Sequence, residues 1–391
     1  MMEIGHYLTP IDVESLEIAN VSEDSHLLFN YVQFYDGNEP QWDKVQIALL
    51  GVPESRAAYN NSDTRLAPDV IRSQFYGLYS WSQDVRILDL GNIIPGDTVE
   101  DTYEIVSELL AFLINENILP IILGGSNDIA YANYMAYEKL QRFVSAVSVD
   151  SRFDLGGEDQ PLKSNAYLSK IILRQPNFLL NYANIGYQTY MNSPESIAMM
   201  EKLFFETYRV GMIRQDITEV EPVVRNAEML SIDISAVRHS DAPGNPNASV
   251  NGFYGEEICQ VALYAGLNDK LTSCGIYEYD PLLDYNGQTA QLIGHTIWYF
   301  IEGYLKRQDD LTFKEKSNYT KFSVTVSDAV EEMVFYCSKK TNRWWVVVPV
   351  INIEKKTQQS YFLPCSLNDY QTACEDRIPD RWWKAFNKFN R

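Results

Sequence analysis

Leu119-Pro120-Ile121-Ile122-Leu123-Gly124-Gly125-Ser126-Asn127-Asp128 is the stretch whose reading decides the fold. Its first half is a short apolar run, which reads as a buried strand. The two glycines then let the backbone turn tightly, and a helix is predicted from about Asp128. The same plan recurs twice. Asp150-Ser151-Arg152-Phe153-Asp154 follows one apolar run, and Ser231-Ile232-Asp233-Ile234-Ser235, leading to Ala242-Pro243-Gly244, ends another. Open parallel sheets place their active sites at the carboxyl ends of strands. Aspartates at such ends suggest a cation site, yet the neighbours that should complete it are Asn127, Arg152 and Ser235.

Outward from these segments, apolar runs alternate with helical patterns. Strands are predicted at 45–51, 85–90, 119–123, 143–149, 182–187, 208–212, 228–234 and 271–279. Helices are predicted from 68, over 99–116, over 254–267 and over 289–305; in the second, Ile105, Leu109, Leu110 and Leu113 share one face. This alternation predicts an α/β protein: a three-layer α/β/α arrangement with a mainly parallel sheet and right-handed crossovers. Residues 1–44 read as an N-terminal cover and 45–310 as the α/β domain. Residues 311–391 read as a small β-rich extension. Within it, apolar stretches at 333–338 and 344–350 flank Lys339-Lys340-Thr341-Asn342-Arg343, a hairpin signal, with Pro349 expected to end the second strand. Of the Trp344-Trp345 and Trp382-Trp383 pairs, at least one member each is expected to pack the extension against the body.

The chain has 391 residues, 46% of them hydrophobic, and a formal charge of −21. Such a surface repels nucleic acid and anionic membranes, so neither is an expected partner. The five scattered cysteines contain no CxxC pair, which argues against a disulfide framework or a zinc site. No basic stretch followed by an apolar run marks a signal peptide, and no apolar run is long enough to span a bilayer. A cytoplasmic location is the expectation. Only four histidines are present. His239 reads as a loop residue and His295 as a core histidine on an apolar helix.

The three segments, with Gly51-Val52-Pro53, the Arg65…Pro68…Ile71-Arg72 stretch and Gly252…Glu257, resemble the arginase, agmatinase and formimidoylglutamase family over roughly residues 45–305. The resemblance implies an arginase-like fold. It also implies two manganese ions that activate a hydroxide for attack on a guanidinium or formimidoyl carbon. Family ligands map onto this chain as Asn127, Asp150, Arg152, Asp154, Asp233 and Ser235. The expected histidines are thus Asn127 and Arg152, and an expected aspartate is Ser235. Arg238-His239 stands where the family has a further aspartate-proline pair. Tyr167 stands at the family's proton-shuttling histidine, and Glu257 at its guanidinium-binding glutamate.

The expectation from these departures is a protein that has lost its dinuclear site and its hydrolase activity, with no cofactor. Arg152 would act as counter-ion to the three aspartates, and the role would be binding, assembly or regulation with an unknown protein partner or as a homo-oligomer. The alternative is a formimidoylglutamase-like C–N hydrolase with an altered or mononuclear site. It would hold one Mg²⁺, Ca²⁺ or Mn²⁺ ion on Asn127, Asp150, Asp154 and Asp233. A ligand sensor using the old pocket is a third reading.

Overall fold

The computed structural model describes residues 4–16, 18, 24–157, 162–310, 316–326, 330–352 and 357–390. Residue 311, where the extension is expected to begin, lies outside this set. One sheet contains ten strands: β1 (Leu8–Thr9), β2 (Val32–Phe34), β3 (Ile47–Gly51), β4 (Ile87–Ile93), β5 (Leu119–Leu123), β6 (Val144–Val149), β7 (Leu179–Tyr187), β8 (Glu206–Arg209), β9 (Met229–Asp233) and β10 (Ser273–Tyr277). Their order is β1-β4-β3-β5-β10-β9-β6-β7-β8, with β2 also beside β4. All pairs are parallel except β1–β4.

The central strands are buried along their whole length, as expected of a parallel sheet covered on both faces. Alternation sorts their side chains into two cores. Ile47 and Leu49 join one core with helices Ala67–Tyr76, Gly255–Gly266 and Gln288–Leu305. Ala48 and Leu50 join the other with helices Val99–Asn115 and Ile129–Lys139. Helices on both faces make the three-layer arrangement that the sequence predicts. Thr98 starts the Val99–Asn115 helix with a reciprocal capping box to Asp101.

The strand predicted at 208–212 is shorter and earlier. β8 stops at Arg209, and Val210–Gln215 is a helix. Val210 and Ile213 are both buried, and their three-residue spacing is helical rather than alternating.

A second sheet, antiparallel, runs β11 (Tyr319–Val326), β12 (Val330–Ser338), β13 (Trp344–Asn352) and β14 (Thr357–Cys365) in order. Two helices follow, Leu367–Cys374 and Asp380–Phe389. Pro349 does not end its strand: it pairs with Ser360 on β14. β12 pairs with β13 only as far as Val346. Pro349 therefore lies where one side of the strand is an edge and a missing N–H is tolerated. Trp345 and Trp382 are buried, and Trp382 Nε1 donates to Val347 O at 2.9 Å. Trp345 lies under the body's Arg225 guanidinium, 4.4 Å from ring centroid to Cζ.

Candidate metal centre

Four neighbouring strands, β5, β10, β9 and β6, end at one place. Each delivers part of the site: Asn127 follows β5, Glu278 follows β10, Asp233 ends β9, and Asp150 and Asp154 follow β6. The β5 turn depends on its glycines. Gly124 and Gly125 both have φ of +75°, and a Cβ at Gly125 would meet Val52 O at 2.7 Å. Asp154 (φ 50°) and Glu278 (φ 68°) also sit in the left-handed region, which is uncommon for non-glycine residues.

Asp150, Asp154 and Asp233 are buried, and each places a carboxylate oxygen within 4.8 Å of the other two. Burial is the largest influence on all three and raises their pKa values; mutual repulsion adds to it for Asp150 and Asp233. Asp154 and Asp233 are pushed up to about 7. Buried Glu278 is pushed up to about 8 by burial first and by Asp233 second. Its Oε1 accepts from Asn127 N at 2.9 Å and its Oε2 from Asn61 Nδ2 at 2.8 Å.

All four carboxylates line one cleft with Tyr59, Arg152, Ser164, Asn165, Ser235 and Asn247. The cleft is half open to solvent, and the space in it that a water-sized guest can reach is about 20 Å³. Asn127 Nδ2 donates to Asp154 Oδ2 at 2.9 Å, while its Oδ1 is buried without a partner. An orphaned amide oxygen beside three crowded carboxylates is an oxygen-only donor set, the kind that holds Mg²⁺, Ca²⁺ or Mn²⁺. The residues present fit one such ion.

Arg152 does not take the role expected of it. It lines the cleft, but among the described residues no carboxylate oxygen lies within 4.0 Å of its side-chain nitrogens. Its Nε is buried with no hydrogen-bond partner. It lowers the pKa of Asp154 and Asp233 only as a lesser, coulombic influence. The carboxylate cluster is therefore not closed by an internal ion pair.

Glu257 is placed elsewhere. It caps its own helix, accepting from Tyr254 N at 2.8 Å, and pairs with Arg214 at 2.9 Å. Tyr167 is buried, and its hydroxyl donates to Ser148 Oγ at 3.5 Å and is hydrogen-bonded to Tyr182; burial raises its pKa well above 10. It does not line the cleft, and as a neutral phenol it cannot serve as a base. His239 is exposed, and its main-chain N–H donates to Ser249 O at 2.7 Å. Glu278 is the cleft carboxylate that the sequence reading missed, as it missed Tyr59, Ser164 and Asn247. Glu278 lies at the end of the run predicted at 271–279, just past the strand that ends at Tyr277, and that place after a central strand is the signal that could have found it.

The family model for the arginase family matches residues 45–302. The chain belongs to the arginase family. Among curated relatives, formimidoylglutamase of Bacillus subtilis (strain 168) is 25% identical over 288 residues, which is 67% of this chain and 89% of that protein. Among solved structures, Trypanosoma cruzi formiminoglutamase with Mn²⁺ superposes with a TM-score of 0.66 at 16% identity, over 72% of this chain and 99% of that one. Bacillus subtilis formimidoylglutamase superposes with a TM-score of 0.65 at 19% identity, over 73% and 94%. The arginase-like fold is thereby established, with the second antiparallel sheet as an addition in the C-terminal region.

Two expectations are corrected. The arginase-family relatives carry the names of hydrolases, and a structural neighbour holds manganese, which overturns the reading of a protein that has lost both site and activity. The expectation of no cofactor falls with it. The physical reason is that a position between two aspartates in sequence does not bring Arg152's guanidinium onto them: the three carboxylates converge with no cation among the described residues paired to them. Among the described residues no helix is long and apolar enough to cross a membrane.

Proposed function

We propose that this arginase-family chain is a C–N hydrolase of linear amidines, of the formimidoylglutamase kind, with an altered metal site. The observation that carries this reading is the convergence of Asp150, Asp154 and Asp233 within 4.8 Å. Three buried carboxylates crowded in this way are unstable unless protonated or bridged by a cation. Asp150, Asp154 and Asp233 would hold the ion, with Asn127 Oδ1 as a further oxygen. A divalent cation there supplies the Lewis acidity that lets water attack at neutral pH.

The chain's own groups do the rest. Glu278 presents a buried carboxylate at the cleft, held by Asn127 N and Asn61 Nδ2, which suits a cationic amidinium. Asn165 and Asn247 offer amides at the cleft wall for the polar end of a substrate. Water adds to the amidine carbon, the C–N bond breaks, the amine leaves with a proton, and an amide remains. The shared name of the curated relatives favours a formimidoyl group, with formamide as that amide.

The test is turnover of formimidoyl-glutamate by the full chain loaded with Mn²⁺, followed as formamide release, with Asp233→Asn as control. Release that the control abolishes is expected. Failure of the loaded chain to turn over formimidoyl, guanidino and agmatine-like substrates would overturn the proposal.

A further inference from the structure

We infer that the cleft takes one divalent cation and that Arg152 and Ser235 exclude a second. This rests on the hydrolase reading only in sharing its cation site; the number of ions is a separate property of the cleft. Among the described residues, the carboxylate oxygens that can share an ion come from Asp150, Asp154 and Asp233, within 4.8 Å of one another. Arg152 and Ser235 also line the cleft. A guanidinium has five N–H donors and no lone pair to give, and it stays charged at every physiological pH. A second cation placed against it would meet a like charge and gain no ligand. Ser235 adds only a hydroxyl, and its main-chain N–H is already committed to Asp233 Oδ1 at 2.7 Å.

Among the described residues Arg152 makes no ion pair with those three carboxylates, so both sides can take a guest. The unpartnered Arg152 Nε needs an acceptor. A cation on the carboxylates, with an oxygen of water or substrate facing Arg152, would satisfy both the three carboxylates and the arginine. Two cations would leave Arg152 repelled and its Nε still unpaired.

The experiment is metal stoichiometry on the full chain. Protein loaded with excess MnCl₂ and freed of unbound metal is assayed by elemental analysis, and its electron paramagnetic resonance spectrum is recorded. One equivalent of manganese, with the spectrum of an isolated ion, is expected. Two equivalents, or a spin-coupled pair, overturn the inference and leave the hydrolase reading standing. No bound manganese overturns both. The double variant Arg152→His with Ser235→Asp replaces a donor-only cation by a lone pair and a hydroxyl by a carboxylate. It is expected to take up a second equivalent. A folded double variant that still holds one would show that these two side chains are not what excludes the second ion. The wild-type stoichiometry decides the number of ions even if the variant does not fold.

Discussion

The main-chain N–H of Asn127 donates to Glu278 Oε1 at 2.9 Å, across 151 residues of sequence. This bond ties the glycine turn after β5 to the residue after β10, so the cation site and the neighbouring carboxylate are held in one frame. Asn61 Nδ2, at 2.8 Å from Oε2, holds the other oxygen. Glu278 is therefore fixed before any substrate arrives, which is what a recognition group requires.

Glu278→Gln keeps the shape but removes the carboxylate that a bound cation and a cationic substrate would hold ionised at neutral pH, and turns one oxygen into a donor facing another donor. The expected result is a loss of roughly 10- to 100-fold in kcat/KM for a cationic amidine, the size of one charged hydrogen bond. Steady-state kinetics with circular dichroism as a folding control would check it. An unchanged kcat/KM would remove Glu278 from substrate binding.

Asp233→Asn leaves an acceptor for Ser235 N but takes one charge from the three-carboxylate cluster. Manganese affinity should fall by more than ~100-fold, beyond what loss of an outer-shell partner costs. Isothermal titration of metal-free protein measures this. Glu257→Gln is expected to leave metal affinity unchanged, because Glu257 serves its helix start and Arg214 rather than the cleft.

The carboxyl groups predict how the metal-free protein responds to pH. Asp154 and Asp233 titrate near 7 in the fold against an ordinary 3.8, and Glu278 near 8 against 4.5. A carboxyl with a raised folded value holds its proton longer in the folded chain than in the unfolded one. Stability therefore falls as pH rises from about 4 to about 8, where the folded chain must give up those protons. With a chelator present, Tm should drop by several degrees between pH 5 and 8, and Mn²⁺ should oppose the drop. A profile that is flat or rising over this range would contradict the burial of these groups as uncompensated acids.

Arg225 connects the body to the extension. Its Nη2 donates to Trp344 O at 3.0 Å and Cys365 O at 3.3 Å, its Nε pairs with Glu221 at 2.8 Å, and its plane covers Trp345. Arg225→Ala uncovers the indole and strands two carbonyls. Glu221 keeps Arg343 at 3.1 Å, so it is not left unpaired. A loss of about 2–3 kcal/mol is expected in chemical denaturation. A loss below ~0.5 kcal/mol would show that the extension is held by other contacts.

The layered sheet was legible because its strands are continuous apolar runs of buried type and its helices carry one apolar face. Asp150, Asp154 and Asp233 were legible because each sits at the end of such a run. What failed was the inference from residue type to spatial partner. Arg152 lies two residues from two of the aspartates in sequence, yet its guanidinium stays clear of their oxygens, since a side chain's direction is set by the turn that carries it. Glu257 looked like a site carboxylate because it begins a helix near Gly252, but the first turn of that helix uses it locally. Glu278 carries no local pattern beyond its place after a strand. Its importance comes from the sheet order, which sets β10 between β5 and β9 and is not written in any short stretch.

The Arg225 contact has a consequence for the history of the chain. A guanidinium enclosed at 1% exposure is tolerable only while Trp345 and the strand carbonyls are there to receive it. Amputating everything after the arginase-like portion would bare that charge's seat and an apolar patch together. The appendage is thus a structural dependant turned host: body and addition can now be inherited only as a unit.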